Sequence, residues 1–200
     1  SDILESRQAS TLASGYNGGY YYDCSQQGQA TYTNGPGGTY YVSSSGNSQF
    51  ICGKGWNPGS SSRIINYNGS YTFTDNSYLT IWGWTRSPIV EYYVVESYDS
   101  STSPAAQKKG TVYCDGADYD ILQATRVNQP SPDGLQTFQQ YWSVRKPPRS
   151  PGGAISGSVD LGCHTKAWRS IGMSVGSQQL FQIVATSVYY SSGHAQITIS

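Results

Sequence analysis

Apolar and polar positions alternate in short runs along most of the chain, and this period predicts strands. Gly19 to Cys24, Ala30 to Thr33, Thr39 to Ser43, Arg63 to Tyr67, Tyr78 to Trp84 and Val90 to Ser97 are rich in β-branched or aromatic residues. Gly110 to Tyr113, Tyr119 to Asn128, Phe138 to Lys146, Leu180 to Ser187 and Ala195 to Ile199 continue the series. Turn clusters such as Asn34-Gly35-Pro36-Gly37-Gly38 and Asn57-Pro58-Gly59-Ser60 separate them. Helical spacing occurs once, where Ala167, Trp168, Ile171 and Gly172 predict a helix over Thr165 to Met173 with Thr165 as N-cap. Many short strands and one helix predict an all-β sandwich of two twisted antiparallel sheets that curls into a cleft.

The segment Val90-Glu91-Tyr92-Tyr93-Val94-Val95-Glu96 shows what alternation implies for chemistry. Glu91, Tyr93 and Val95 fall on one face, and Tyr92, Val94 and Glu96 on the other. The two carboxylates therefore cannot act as a pair. A lone strand glutamate is ordinarily a solvated face residue.

Composition narrows the partners. Net charge is zero and only 12% of residues are charged, without the clustered Lys and Arg that phosphate backbones require, so nucleic acid is not expected. No apolar run approaches membrane-spanning length. The length suits one domain over residues 1–200, with 1–14 as a loose extension. Ser1 to Ser10 is polar and lacks a signal-peptide core, so the chain reads as a mature product. Eighteen Tyr, five Trp and abundant hydroxyls match the CH faces and hydroxyls of sugar rings, although Tyr and Thr are also simply good strand formers.

Cys24, Cys52, Cys114 and Cys163 lack zinc-site spacing and fit two disulfides of a secreted chain. Four cysteines allow three connectivities, and spacing does not choose among them. Asn68-Gly69-Ser70 is a glycosylation acceptor sequence at Asn68. His164 and His194 have no metal-ligand companions in sequence, no Ser/His/Asp order stands out, and no cofactor is expected.

Several ordered motifs carry a resemblance. They are Gly53-Lys54-Gly55-Trp56-Asn57-Pro58-Gly59, Tyr78-Leu79-Thr80-Ile81-Trp82-Gly83-Trp84-Thr85-Arg86 and Pro88-Ile89-Val90-Glu91-Tyr92-Tyr93. Arg126-Val127-Asn128-Gln129-Pro130-Ser131, Phe138-Gln139-Gln140-Tyr141-Trp142-Ser143-Val144-Arg145 and Ser191-Ser192-Gly193 follow. From about Gly15 to Ser200 the chain resembles glycoside hydrolase family 11, the small endo-β-1,4-xylanases. The resemblance implies a β-jelly-roll with a thumb hairpin whose tip is Gln129 to Gly134. It also implies retaining double displacement by two carboxylates about 5.5 Å apart.

Glu91 matches the family's nucleophile. Ser187, in Ala185-Thr186-Ser187-Val188-Tyr189, occupies the acid/base position, where the family has Glu. Tyr78, Tyr93, Arg126, Pro130, Gln140 and Tyr189 match cleft residues that contact substrate. Other positions depart from the pattern. Ser25 stands where a Trp platform is usual, and Ser43 where the resemblance places the Asn or Asp that tunes the acid/base. Trp82 replaces a Tyr that bonds the nucleophile, Phe181 a cleft Tyr, Val188 a Gly and Pro132 a thumb Ile. Such coordinated departures read as natural loss of an enzyme. The reading is a secreted, monomeric xylanase-like pseudoenzyme that binds xylan or xylo-oligosaccharide, or a plant xylanase-inhibitor protein as a decoy or effector. The alternative is an endo-xylanase that is weak or inactivated at its acid/base. The resemblance further implies pairing of Cys114 with Cys163 and of Cys24 with Cys52.

Overall fold

The computed structural model describes residues 11–99, 105–149 and 152–200. In chain order the strands are β1 (Thr11–Asn17), β2 (Tyr20–Gln27), β3 (Ala30–Asn34), β4 (Thr39–Ser45), β5 (Gln49–Trp56), β6 (Ile64–Tyr71) and β7 (Ser77–Arg86). They continue as β8 (Val90–Tyr98), β9 (Gln107–Cys114), β10 (Ala117–Ser131), β11 (Gly134–Lys146), β12 (Gly153–Asp160), β13 (Gln178–Tyr189) and β14 (Ser192–Ile199). The helix α1 (Leu161–Ser170) lies between β12 and β13. A nine-stranded sheet has the order β1-β2-β5-β13-β7-β8-β11-β10-β9, and a five-stranded sheet the order β12-β6-β14-β4-β3. Neighbours run antiparallel with one exception. The β8–β11 pair is parallel, from Gln139 beside Val90 to Val144 beside Val95, which the expectation of wholly antiparallel sheets missed.

Alternation along β8 divides the two faces of the large sheet. Tyr92 and Val94 enter the core between the sheets, with Tyr40, Tyr67, Phe73, Ile81 and Trp168. Tyr93 and Val95 join a second cluster on the opposite face, with Tyr78, Trp82, Trp84, Phe138 and Trp142. One face of this sheet builds the sandwich, and the other builds an aromatic surface.

Three strands escaped the sequence pattern: β1, β5 and β12. In β5 the reason is steric. A Cβ at Gly53 would lie 1.8 Å from Val184 O, and one at Gly55 2.0 Å from Gln182 O. The close approach of β13 demands glycine there and erases the alternation. Between them the buried Lys54 sends Nζ to Asn17 Oδ1 (3.0 Å), Gly35 O (3.1 Å) and Gly37 O (2.7 Å), tying two turns to the sheet. Residues 11–14, expected to be a loose extension, belong to β1, and Ser1 to Ser10 lie outside the described residues.

The helix starts four residues before the expected site. Asp160, not Thr165, is its N-cap, accepting from Gly162 N at 2.9 Å. Thr165 sits within the helix and donates to Ser61 O at 2.8 Å. Two disulfides staple the molecule. Cys24–Cys52 joins directly paired positions of β2 and β5, and Cys114–Cys163 joins the end of β9 to α1.

Candidate active site

Glu91 is the second residue of β8, lies on the aromatic face and is buried, contrary to the ordinary solvated strand glutamate. Two donors orient its carboxylate. Trp82 Nε1 donates to Oε2 at 2.8 Å, and Gln140 Nε2 donates to Oε1 at 2.5 Å. Gln140 reaches Glu91 because the parallel register sets the two side by side on β11 and β8. Arg126 Nε in turn donates to Gln140 Oε1 at 2.9 Å, so β10 braces the same carboxylate indirectly. Glu91, Gln140 and Arg126, three of the residues named from the sequence, therefore meet in one hydrogen-bonded chain. Trp82 is the added member.

Ser187 lies on β13, opposite Tyr78 on β7 and Ile51 on β5. Its neighbours Ala185 and Ile183, two and four residues back, belong to the aromatic-face cluster, which places Ser187 on that face. Its Oγ is buried and meets no hydrogen-bond partner among the described residues. Tyr78 lies edge-on to Trp142 (centroids 6.1 Å), and Trp142 stacks flat on Tyr93 at 3.9 Å. Tyr189, half-buried, meets the ring of Tyr190 edge-on at 4.9 Å.

A cavity of about 420 Å³ opens beside this group, lined by Tyr21, Asp23, Ser25, Trp82, Phe181 and the hairpin residue Pro130, among others. Its lining reaches from β1 and β2 to the β10–β11 hairpin, so the sheet curls and the hairpin tip covers one end. The tip is tied down. Asp133 accepts a bidentate ion pair from Arg86 at the end of β7, with Nε to Oδ2 at 2.7 Å. Pro130 and Ser25 thus meet across one cavity. Asp23, which the sequence motifs did not single out, brings a buried carboxylate into the wall. Tyr21 donates to its Oδ2 at 3.3 Å, and burial followed by the nearby Asp23 charge pushes the Tyr21 phenol up to about 12.

Ser43 does not belong to the site. It lies on β4, in the five-stranded sheet, exposed and opposite Thr31 and His194. A side chain there cannot tune position 187. Gln49, directly opposite Tyr189 on β5, is the polar residue that flanks this region instead.

The remaining chemical groups are structural. Glu96, on the reverse face of β8, accepts from Tyr67 (2.8 Å), Tyr119 and Arg149 (3.4 Å) inside the protein. Structure does assemble a Ser/His/Asp set that sequence order did not show. His164 meets Ser143 Oγ at 2.9 Å and Asp115 Oδ2 at 3.2 Å, but Ser143 and His164 are fully buried, so substrate cannot reach them. Trp168 Nε1 also donates to Ser143 Oγ, and the set anchors α1 to the sheet. No group of three or more His, Cys, Asp or Glu among the described residues is placed to hold a metal ion. Asn68 is exposed mid-way along β6, between Ser156 and Thr198 of the neighbouring strands.

Comparison with known proteins agrees with this architecture over nearly the whole chain. Residues 16–198 match the model of glycosyl hydrolases family 11. Endo-1,4-beta-xylanase 1 of Leucoagaricus gongylophorus is 54% identical over 199 residues, covering 98% of this chain and 85% of that protein. Endo-1,4-beta-xylanase A of Schizophyllum commune is 54% identical over 192 residues, covering 94% and 98%. A solved structure from a comparison of two major endo-1,4-β-xylanases of Trichoderma reesei superposes with a TM-score of 0.79 at 34% identity, covering 96% of this chain and 98% of that one. A curled nine-stranded sheet, a buried glutamate on its aromatic face and this breadth of identity place the chain in glycosyl hydrolase family 11.

Proposed function

We propose that this chain is a single-domain, xylan-directed member of its family in which Glu91 keeps the nucleophile's place and position 187 supplies no proton. The carrying observation is the contrast between two residues of one face. Glu91 is held by Trp82 and Gln140, whereas Ser187 offers only a hydroxyl. In double displacement Glu91 would attack the anomeric carbon while the departing oxygen takes a proton from an acid. Water would then attack with that group acting as base. A serine hydroxyl is too weak an acid for the first step and too weak a base for the second. Loss of such a group costs about 10²–10⁴-fold in rate. The cleft then works by binding xylan, with hydrolysis absent or at least about 10²-fold below an ordinary family member.

The 54% identity to proteins named endo-1,4-β-xylanases supports a second reading, an endo-xylanase of low but real turnover. Reducing-sugar release from xylan, with the chain assayed beside its Ser187→Glu variant, separates the two. The first reading expects release at least about 10²-fold below an ordinary family member and a partial gain in the variant. Rapid hydrolysis by the unmodified chain would overturn it. Recognition by a plant xylanase inhibitor would use the same cleft and is tested by competition with xylo-oligosaccharide. Two disulfides suit an oxidising, extracellular setting.

A further inference from the structure

A second cavity, of about 470 Å³, shares no lining residue with the cleft. It lies where the end of β11 and the start of β10 approach β12, and its wall includes Arg145, Arg149, Ala117, Pro148, Ile155 and Ser156. The two guanidinium groups converge on one carboxylate. Glu96 Oε1 accepts from Arg149 Nε at 3.4 Å, and Glu96 Oε2 lies 4.0 Å from Arg145 Nη1. Tyr67 and Tyr119 also donate to Glu96, so its oxygens are engaged within the protein. Asp115 meets Arg145 through its carbonyl oxygen, at 3.5 Å, and turns its carboxylate to His164 and the Asp160 N–H. Two positive charges facing one negative leave this pocket with a positive surplus.

Arg149 is held in place and still has donors to offer. Its backbone N–H donates to Glu96 O at 2.9 Å, and its carbonyl accepts from Ser97 Oγ at 3.0 Å. Gly157 gives the side chain room, since a Cβ there would lie 2.7 Å from Arg149 Nε. A guanidinium carries more N–H donors than these contacts use. Among the described residues the terminal nitrogens of Arg149 meet no partner, on a side chain that is 26% exposed. Arg145 is more enclosed and donates from Nη1, to Tyr119 Oη at 2.9 Å and to Asp115 O.

We propose that this pocket is a binding site for an acidic sugar, with Arg149 and Arg145 receiving its carboxylate and the CH face of its ring laid on Pro148 and Ile155. A planar guanidinium matches a carboxylate in geometry as well as charge. The wall is mixed, with hydroxyl-bearing Ser156 beside apolar Ala117, Pro148 and Ile155. A small inorganic anion would leave those apolar surfaces uncovered, whereas a uronic acid brings a carboxylate, hydroxyls and a CH face together. The site lies outside the cleft and is independent of the chemistry at Glu91.

Titration of the isotope-labelled chain tests this through its backbone amide shifts, with sodium methyl α-D-glucuronide, methyl α-D-glucoside and inorganic phosphate as probes. The glucuronide should shift the amides of Gly116, Ala117 and Ser156 saturably and bind at least about tenfold more tightly than either other probe. High salt should weaken it. Arg149→Gln should reduce its affinity by about tenfold or more. That change also strips a partner from buried Glu96, so melting temperature is recorded and a second variant is used. Ser156→Asp leaves the contacts of Glu96 intact and sets a negative charge at an exposed position of the wall, and it should weaken the glucuronide to a similar degree. Equal binding of the glucoside or of phosphate, shifts confined to other residues, or undiminished affinity in either folded variant would overturn the assignment. None of these readouts depends on xylan binding or turnover in the cleft.

Discussion

Trp82 on β7 and Glu91 on β8 are diagonal neighbours across the pair, and the indole Nε1–H of Trp82 reaches Glu91 Oε2 at 2.8 Å. The resemblance expects a tyrosine hydroxyl in that role. A larger side chain with a different donor atom preserves the hydrogen bond, so this departure from the family pattern does not by itself disable the nucleophile. Gln140 supplies the second donor from β11. The carboxylate stays oriented although the residues around it have changed.

Trp82→Phe removes that donor and keeps most of the ring. Reaction of Glu91 with an activated aryl β-xylobioside, which needs no proton donor to depart, should slow by about tenfold or more, as loss of a hydrogen bond to a charged group implies. Trp82→Tyr should lose less. Stopped-flow release of the aryl group measures both. Equal rates in all three chains would show that the bond is incidental.

The hairpin tip should loosen when Asp133 is changed to Asn. The exposed residues 127, 128, 130 and 132–137 leave this ribbon with little burial, and the Arg86–Asp133 pair ties its end to β7. Dissociation of xylohexaose should speed up while the melting temperature barely moves. The hydrogen bond from Arg86 holds the Asp133 carboxyl below its usual range. A depressed acid contributes its pairing above the ordinary carboxylate pKa and loses it only as pH falls through the lower, folded value. The hairpin tie should therefore be constant from about pH 5 to pH 8 and fail only in stronger acid, beneath the ordinary carboxylate range. Dissociation rates that change steeply near neutrality would contradict this.

Lys54→Met should cost about 2–3 kcal/mol of stability, because it strands Gly35 O, Gly37 O and Asn17 Oδ1 beside an apolar side chain. Urea denaturation followed by tryptophan fluorescence reads the change. A variant as stable as wild type would show that water satisfies these acceptors equally well.

Alternation alone recovered the faces of Val90–Glu96, and with them the separation of Glu91 from Glu96. Helix entry was harder to read. Gly162 and Cys163 are poor helix formers, and the apolar spacing becomes visible only at Ala167, so the true cap at Asp160 gave no periodic signal. Small residues similarly concealed β12, and Gly53 and Gly55 concealed β5. Within the site, motif order located Glu91, Gln140 and Arg126 because their strands keep a common register. It misplaced Ser43, since local sequence does not specify which of two sheets a strand joins. Asp23 was not singled out, because its burial beside Gly53 and Ser14 depends on cross-strand neighbours distant in sequence.

The central claim is that Glu91 remains a competent nucleophile while position 187 delivers no proton, and one comparison bears on it directly. Purified chain is mixed with 2,4-dinitrophenyl β-xylobioside, the covalent state of Glu91 is followed by intact-protein and peptide mass spectrometry, and xylan hydrolysis is assayed in parallel. The account predicts a rapid burst of dinitrophenol, a xylobiosyl adduct on the peptide containing Glu91 that decays slowly, and xylan hydrolysis at least about 10²-fold below an ordinary family member. Absence of an adduct, or vigorous xylan hydrolysis without one accumulating, would contradict it.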